Sequence, residues 1–413
     1  MKHLLISILL LNVISIAYAE PLTWIDTVNK AQSYNPALIK ARESVKQSEI
    51  NYNLSRTNFL PTVSASASSS RSGTDKPVSA TNDNYSYGLN GQWMLNNVYS
   101  DINQIKIKDI DRKIEELRFK RTISDVIYNI RRSFINLLVA QEMFDLSGQI
   151  MGRRMKNLDL VQLKYDAGRE DKGSLLRVDA DRLQAQYDYD SAKRNLETAS
   201  LQLAKDIGIN SYEIIQVTGS FNINLSSKDI SIENAIVKIP EYLIAKYNMD
   251  KTEINMKTAK SNLYPDLSFT GSISKSWTKS IDDNTNWSTG FSLSYPLYNA
   301  GRDINNIKLA ESNKIIIENS LQETELQLKT SLRNAYSNYI NAIENLNIRQ
   351  KYLIAAEQQS EITTMKYVNG LAAYYDWYNV ENDVISYQKM MLNSKRDVIL
   401  AESSLKNVQG IGE

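Results

Sequence analysis

Proline placement constrains this chain more than any other feature. The seven prolines (Pro21, Pro36, Pro61, Pro77, Pro240, Pro265 and Pro296) leave 78–239 and 297–413 free of them. Proline inside a helix removes a backbone donor and clashes with the preceding turn, so such intervals permit very long helices. In the first interval Ile123, Ile130, Leu137, Phe144, Met151, Leu158 and Tyr165 recur every seven residues. Ile127, Phe134 and Met155 occupy the intervening positions, interrupted by Gln141, Gly148 and Gln162. In the second, Leu321, Leu328, Ala335 and Ala342 alternate with Leu332, Tyr339, Leu346 and Leu353. A period near 3.5 held this long predicts coiled-coil helix. At about 1.5 Å per residue, 101–165 would be roughly 100 Å long. "KYDAG" (from Lys164) and "KYVNG" (from Lys366) read as helix stops, each with a glycine for the left-handed position. A shorter returning helix follows each, giving two long antiparallel hairpins.

The two halves answer each other. "NFLPTVSAS" (from Asn58) faces "NLYPDLSFT" (from Asn262), and "SEINYN" (Ser48) faces "TEINMK" (Thr252). "NYSYGL" (Asn84) faces "NWSTGF" (Asn286), and "SDINQIK" (Ser100) faces "RDINNIK" (Arg302). Collinear matches at these sites and at both glycine stops mark a duplicated unit.

Each unit holds two stretches that alternate with period two, the mark of a strand with one apolar and one polar face. Val63, Ala65 and Ala67 alternate with Ser or Thr; Tyr85, Tyr87, Leu89, Trp93 and Leu95 oppose Ser86, Gly88, Asn90 and Gln92. Leu267, Phe269, Ile273 and Trp277 oppose serines and Thr270; Trp287, Phe291, Leu293 and Tyr295 oppose Ser288, Gly290, Ser292 and Ser294. The lengths suit a tilted membrane-crossing strand, and Tyr85, Tyr87, Trp93, Trp277, Trp287 and Tyr295 suit an interfacial girdle. A soluble half-buried sheet is the other reading. Four strands are too few for a membrane barrel, which needs about eight, so membrane-spanning strands require oligomerisation.

"MKHLLISILLLNVISIAYAE" reads as a secretory signal peptide cleaved after Ala19, and no later stretch is apolar enough for a transmembrane helix. Net charge of +1 argues against a nucleic-acid partner. Cysteine is absent and the one histidine is His3, in the leader. The usual nucleophile, general base and transition-metal ligands are therefore missing from the mature chain, which predicts no enzyme, no cofactor and no metal site and leaves carboxylate-only hydrolysis as the one enzymatic alternative. Arg131-Arg132 and Arg153-Arg154 read as solvated helix flanks, Glu115-Glu116 and Asp179/Asp181 as unsuited to an acid/base dyad, and Tyr374–Tyr378 as packing at a narrowed helix end.

Leader, duplication, two strands and one long helical hairpin per repeat together resemble the TolC family of outer-membrane efflux and secretion channels. The most specific pieces are "LYPDLSFTGS", "GFSLSYPLYNAGRDINNIKLAE" and "KYVNGLAAYYDWYNVEND". The resemblance implies a mostly α fold with a membrane β-barrel: a homotrimer, four strands per chain in a shared twelve-stranded barrel, continued by a helical tunnel through the periplasm. It implies 1–19 as leader and 20–206 as first repeat (strands about 62–72 and 84–96, helices about 35–60, 100–165 and 174–206). An equatorial segment at 207–238 would precede the second repeat, 239–406 (strands about 266–279 and 286–297, helices about 239–264, 302–367 and 374–406), and a tail at 407–413. Residues from about 401 would join the equatorial band.

It also implies a passive exit duct of a tripartite efflux pump or type I secretion system in the outer membrane of a Gram-negative bacterium, associated with drug resistance. Partners would be outer-membrane lipid, a periplasmic adaptor and an inner-membrane pump of RND, ABC or MFS type. Adaptor docking would fall on Asp166, Ala167, Gly168, Asn369, Gly370, Leu371 and Ala372. Asp376 matches the first acidic position of the family's entrance; the second is Asn379, a departure, and Asp179 is the first-repeat counterpart. A secreted structural or adhesive coiled-coil protein without pore activity is the alternative. "QWMLNNVYSD" lacks the proline and glycine of "SYPLYNAGRD", so the first strand-to-helix exit is expected to differ in shape.

Overall fold

The computed structural model describes residues 21–74, 80–95, 98–210, 214–221, 232–278 and 281–412. The leader and its cleavage site lie outside them, as do 211–213 and 222–231 of the equatorial segment and 96–97 of the first exit. The chain order is α1 (Trp24–Tyr34), α2 (Pro36–Thr57), β1 (Thr62–Thr74), β2 (Ala80–Leu95), α3 (Val98–Asp166) and α4 (Lys172–Ile207). It continues with α5 (Ile232–Ile236), α6 (Pro240–Ser261), β3 (Asp266–Thr278), β4 (Ile281–Ser294), α7 (Arg302–Val368) and α8 (Tyr374–Val408). Two compact units result. One takes the described residues within Met1–Asn35, Ile127–Ser226 and Tyr339–Ser403; the other takes Pro36–Val126, Ser227–Asn338 and Ser404–Glu413.

The order of helix, two strands, long helix and returning helix occurs twice. α3 has 69 residues and α7 has 67, each roughly 100 Å at the standard rise. Both end in the same left-handed glycine stop. Gly168 has φ +67° and Gly370 φ +77°. Arg169 N–H donates to Lys164 O and Leu371 N–H to Lys366 O, both at 2.8 Å, while each glycine bonds three residues back. This six-to-one plus five-to-two pair satisfies carbonyls that the helix end leaves open.

Several limits differ from those read from pattern. α1 was not anticipated: Thr23 and Asp26 form a reciprocal capping box at its start, and Asn35, made extended (φ −67°, ψ 119°) by Pro36, ends it. β1 runs on to Thr74, and β2 and β4 begin at Ala80 and Ile281 rather than about 84 and 286. Backbone pairing continues there through polar residues that hide the alternation. β4 ends at Ser294, so Tyr295 lies beyond it, next to Pro296, which has no N–H for a ladder. The second exit turns through Ala300 (φ +51°) and Gly301 (φ +76°). The residues from 401 stay helical through Val408. Beyond it Gly410 (φ +71°) turns the chain, Ser124 Oγ donates to Ile411 O at 3.3 Å, and Arg121 Nη1 donates to Asn407 O at 2.7 Å.

Candidate functional site

In the second unit the four strands form one antiparallel sheet in the order β1-β2-β3-β4. Partners directly opposite in an antiparallel ladder share a face, so the register sorts the side chains. Ala65, Leu89, Ile273 and Trp287 form one row; Trp93, Phe269 and Phe291 another; Leu95, Leu267 and Leu293 a third. On the opposite face run Ser64, Asn90, Ser272 and Ser288, then Ser66, Gly88, Ser274 and Asn286. Hydroxyls bridge this polar face: Ser68 Oγ lies 2.7 Å from Ser86 Oγ, and Ser272 Oγ 2.8 Å from Ser288 Oγ. The apolar face is left open, with Val63 72%, Trp287 74%, Phe291 69% and Leu293 66% exposed. Burying such a face is worth about 25 cal/mol per Å², and none of the described residues covers it.

The aromatics separate by position. Tyr85 and Tyr87 gather around Trp277, at 5.6 and 5.8 Å between ring centroids, towards the hairpin ends. Trp93 lies near the helix-joined end, its indole N–H donating to Phe59 O at 3.0 Å. Trp287 stands near the middle of β4, opposite Ile273, and not at a rim. Lys275, which alternation alone passed over, shares the apolar face in the row of Tyr87 and Thr285.

In the first unit the site is the end of the hairpins, α3–α4 and α7–α8. Val161, Val178, Tyr367 and Trp377 form a closed core, joined by Leu158, Leu175, Ala372 and Tyr374. The Tyr367 ring stacks on Trp377 at 4.6 Å, and the Trp377 N–H donates to Thr364 Oγ1 at 3.1 Å. Tyr367 donates its hydroxyl to Glu170 Oε2 at 2.8 Å, and Lys164 Nζ donates to Tyr367 O at 2.7 Å. Burial, and then the Glu170 carboxylate, push the Tyr367 hydroxyl far above its ordinary range, so it remains a donor. Burial raises Tyr374 as well. The aromatic run at 374–378 is therefore packing, as read from the sequence, except that Tyr375 is exposed.

Asp166, Ala167, Gly168, Asn369, Gly370 and Leu371 are exposed around the two stops, Leu371 at 77%, while Ala372 turns into the core. Asp376 and Asn379 are exposed at the start of α8. Asp179 is engaged by Arg182 of its own helix at 2.9 Å. The entrance candidates thus divide: two face solvent on α8, and the third carries a counter-charge on α4.

Sequence reasoning missed a buried polar cluster in the same unit. Glu381, 4% exposed, accepts from Ser360 Oγ at 2.6 Å and from Asn157 Nδ2 at 3.2 Å, and lies 3.7 Å from Arg153 Nε. Arg154, 8% exposed, donates to Asn382 Oδ1 and faces Asp181 at 3.9 Å. Arg154 is thus no solvated flank. The phase of the seam explains the miss. The buried stripe in this part of α3 is Ser147, Ile150, Arg154, Asn157 and Val161, one residue back from the heptad positions 148, 151, 155, 158 and 162. One residue rotates about 100° around a helix, so Met155 (52%) and Tyr165 (36%) stay exposed. In α7 the heptad does continue inward, through Ala356, Ser360, Thr363 and Tyr367, but with polar members that conceal it. The signal available was polar residues at seam positions.

The family described as outer membrane efflux protein matches residues 27–208 and 232–410. The outer membrane efflux protein BepC of Brucella suis biovar 1 (strain 1330) is 18% identical over 95% of this chain and 86% of its own. Outer membrane protein TolC of Escherichia coli (strain K12) is 20% identical over 98% and 85%. Among solved structures, CusC superposes with a TM-score of 0.84 at 17% identity, covering 94% of this chain and 92% of that one. The open state of the Neisseria gonorrhoeae MtrE outer membrane channel gives 0.83 at 17%, covering 94% and 89%.

Proposed function

Because the chain belongs to the outer membrane efflux protein family, we propose that three copies close a twelve-stranded barrel in the outer membrane and act as the exit duct of a tripartite pump. The observation that carries this is the one-sided sheet. Its alternating apolar side chains stand mostly on one open face, its serines mostly on the other, and β1 and β4 are its two edges. In a bilayer the first face meets lipid and the second lines water, and closure with neighbouring copies removes both edges. The helices offer matching surface. Leu176, Leu183 and Tyr187 form an exposed stripe along α4, and Met155 and Tyr165 stand out from α3, as seams between subunits do.

The hairpin ends form the periplasmic entrance. Three Asp376 carboxylates attract cations there, with no second acidic ring because Asn379 stands at its place. The adaptor docks on the exposed stops around Gly168 and Gly370, and the adaptor's own pump in the inner membrane supplies the cargo. Detergent-purified protein in a planar bilayer tests the reading: conducting trimers are expected. A monomeric mass without conductance would return the chain to a structural coiled-coil protein.

A further inference from the structure

We propose that β4 of one copy pairs with β1 of the next in the register that joins β2 to β3 within the chain. Leu293 then lies opposite Ala67 of the neighbouring copy, and Ser292 opposite Ser68. This register rests on the closed barrel proposed above and says how its copies meet.

The duplication supplies the template. Its matched stretches carry Pro61 onto Pro265 and Gly88 onto Gly290. Residue for residue, they carry the pair Ala65–Leu89 onto Phe269–Phe291, and Val63–Gly91 onto Leu267–Leu293; the second hairpin holds both pairs. Even the hydroxyl bridge recurs, Ser68 with Ser86 at 2.7 Å and Ser272 with Ser288 at 2.8 Å. The two hairpins therefore share one register. Between them, β2 leads into a long helix and β3 follows a short one, as β4 and β1 do in turn. The β2–β3 joint pairs Leu95 with Leu267, Trp93 with Phe269, Gly91 with Gly271 and Asn90 with Ser272. The same correspondence turns these into Leu297 with Val63, Tyr295 with Ala65, Leu293 with Ala67 and Ser292 with Ser68, all at the two open edges.

Exposure at those edges fits a missing neighbour. Leu95 and Leu267, opposite each other across β2–β3, are half-buried. Their counterparts Leu297 and Val63 are 88% and 72% exposed, and Leu297 is the most exposed large apolar side chain among the described residues. The register also keeps the faces: Ser292 joins the polar face of the next copy and Leu293 the apolar one, whereas a slip of one residue inverts both. A slip of two keeps the faces but makes the joints between copies unlike those within them. Like hairpins around a closed barrel stagger alike. Pro296 has no N–H and ends the hydrogen bonding, so Tyr295 and Leu297 meet Ala65 and Val63 through side chains alone. The contact runs head to tail, β4 to β1, and closes by rotation.

Cysteine is absent, so introduced thiols report this joint alone. Side chains directly opposite in an antiparallel ladder have Cβ atoms about 4.5–5.5 Å apart, diagonal neighbours about 7–8 Å, and a disulfide takes about 3.5–4.5 Å. Oxidation of detergent-purified protein carrying Leu293→Cys and Ala67→Cys should shift the non-reducing gel band from single chains to covalent trimers. Ser292→Cys with Ser68→Cys, the next pair on the other face, should do the same and decides the matter if the first pair fails to assemble. Leu293→Cys with Ala65→Cys, or with Ser69→Cys, should leave single chains. Native mass and bilayer conductance before oxidation separate the two readings. Trimeric, conducting protein that cross-links as readily in a slipped pair, or in no pair, overturns the register alone. Monomeric, non-conducting wild type withdraws the barrel and the register together.

Discussion

Arginine placed on adjacent residues of β3 should separate the two faces of the sheet. Ile273 lies in the row Ala65–Leu89–Ile273–Trp287, and Ser272 lies on the other face between Asn90 and Ser288. At about 3.3 Å per residue and a tilt near 40°, Ile273 is roughly 15 Å along the membrane normal from the Leu267 row and roughly 10 Å from the Trp277 row. The two sum to the roughly 25 Å apolar band of an outer-membrane barrel and place Ile273 near its middle. Arginine at that depth costs about 2–4 kcal/mol per chain, and the proposed trimer would carry three. Ser272→Arg, on the face proposed to line water, should cost under about 0.5 kcal/mol.

Urea titration of protein folded into vesicles reads both values, and bilayer recording reads the pore. Ile273→Arg should lower the midpoint steeply; Ser272→Arg should keep it and reduce conductance. In a soluble sheet the order changes. Ile273 is 51% exposed in the single chain, so arginine there would be worth about 0.5 kcal/mol or less. Equal, small effects at the two positions would refute the membrane assignment of the faces.

Further tests address the helical unit. Glu381→Leu should destabilise it by about 3–5 kcal/mol, because Arg153, Asn157 and Ser360 lose their acceptor inside the packing; calorimetry should show Glu381→Gln to be milder. Gly370→Val forces a β-branched residue to φ +77° and should cost at least about 1–2 kcal/mol, visible as faster amide exchange around the stop. Asp171 caps α4 by accepting from Ser174 N–H at 2.9 Å, and that bond holds its carboxyl below the ordinary 3.8. A depressed carboxyl stabilises above its unfolded value and loses the contribution as pH falls through the folded one. Exchange at Ser174 should therefore accelerate only on acidification below about pH 4, and Asp171→Ala should remove the dependence. Asp376→Asn should weaken cation selectivity of the open pore; an unchanged reversal potential would sink the entrance ring.

Much of this architecture is legible in the chain itself. Proline at seven places, glycine at 168 and 370, and alternating polar and apolar residues in the strands act through the local backbone, so a single sequence carries them. They determine long helices, their stops, and strands with unlike faces. What the sequence left open is which side chains meet. A heptad states that a helix has an apolar stripe, but not which neighbour covers it. Towards the end of α3 the most buried stripe is Ser147–Ile150–Arg154–Asn157–Val161, while Met155 and Tyr165 of the apolar heptad stay exposed. The pairing of Glu381 with Ser360, the capture of Tyr367 by Glu170, and the row that sets Lys275 beside Tyr87 and Thr285 likewise depend on rotation and register between separate segments. Those are fixed by packing distant parts of the chain together, where a change of one residue, in a strand or in a helix, turns a side chain to another face.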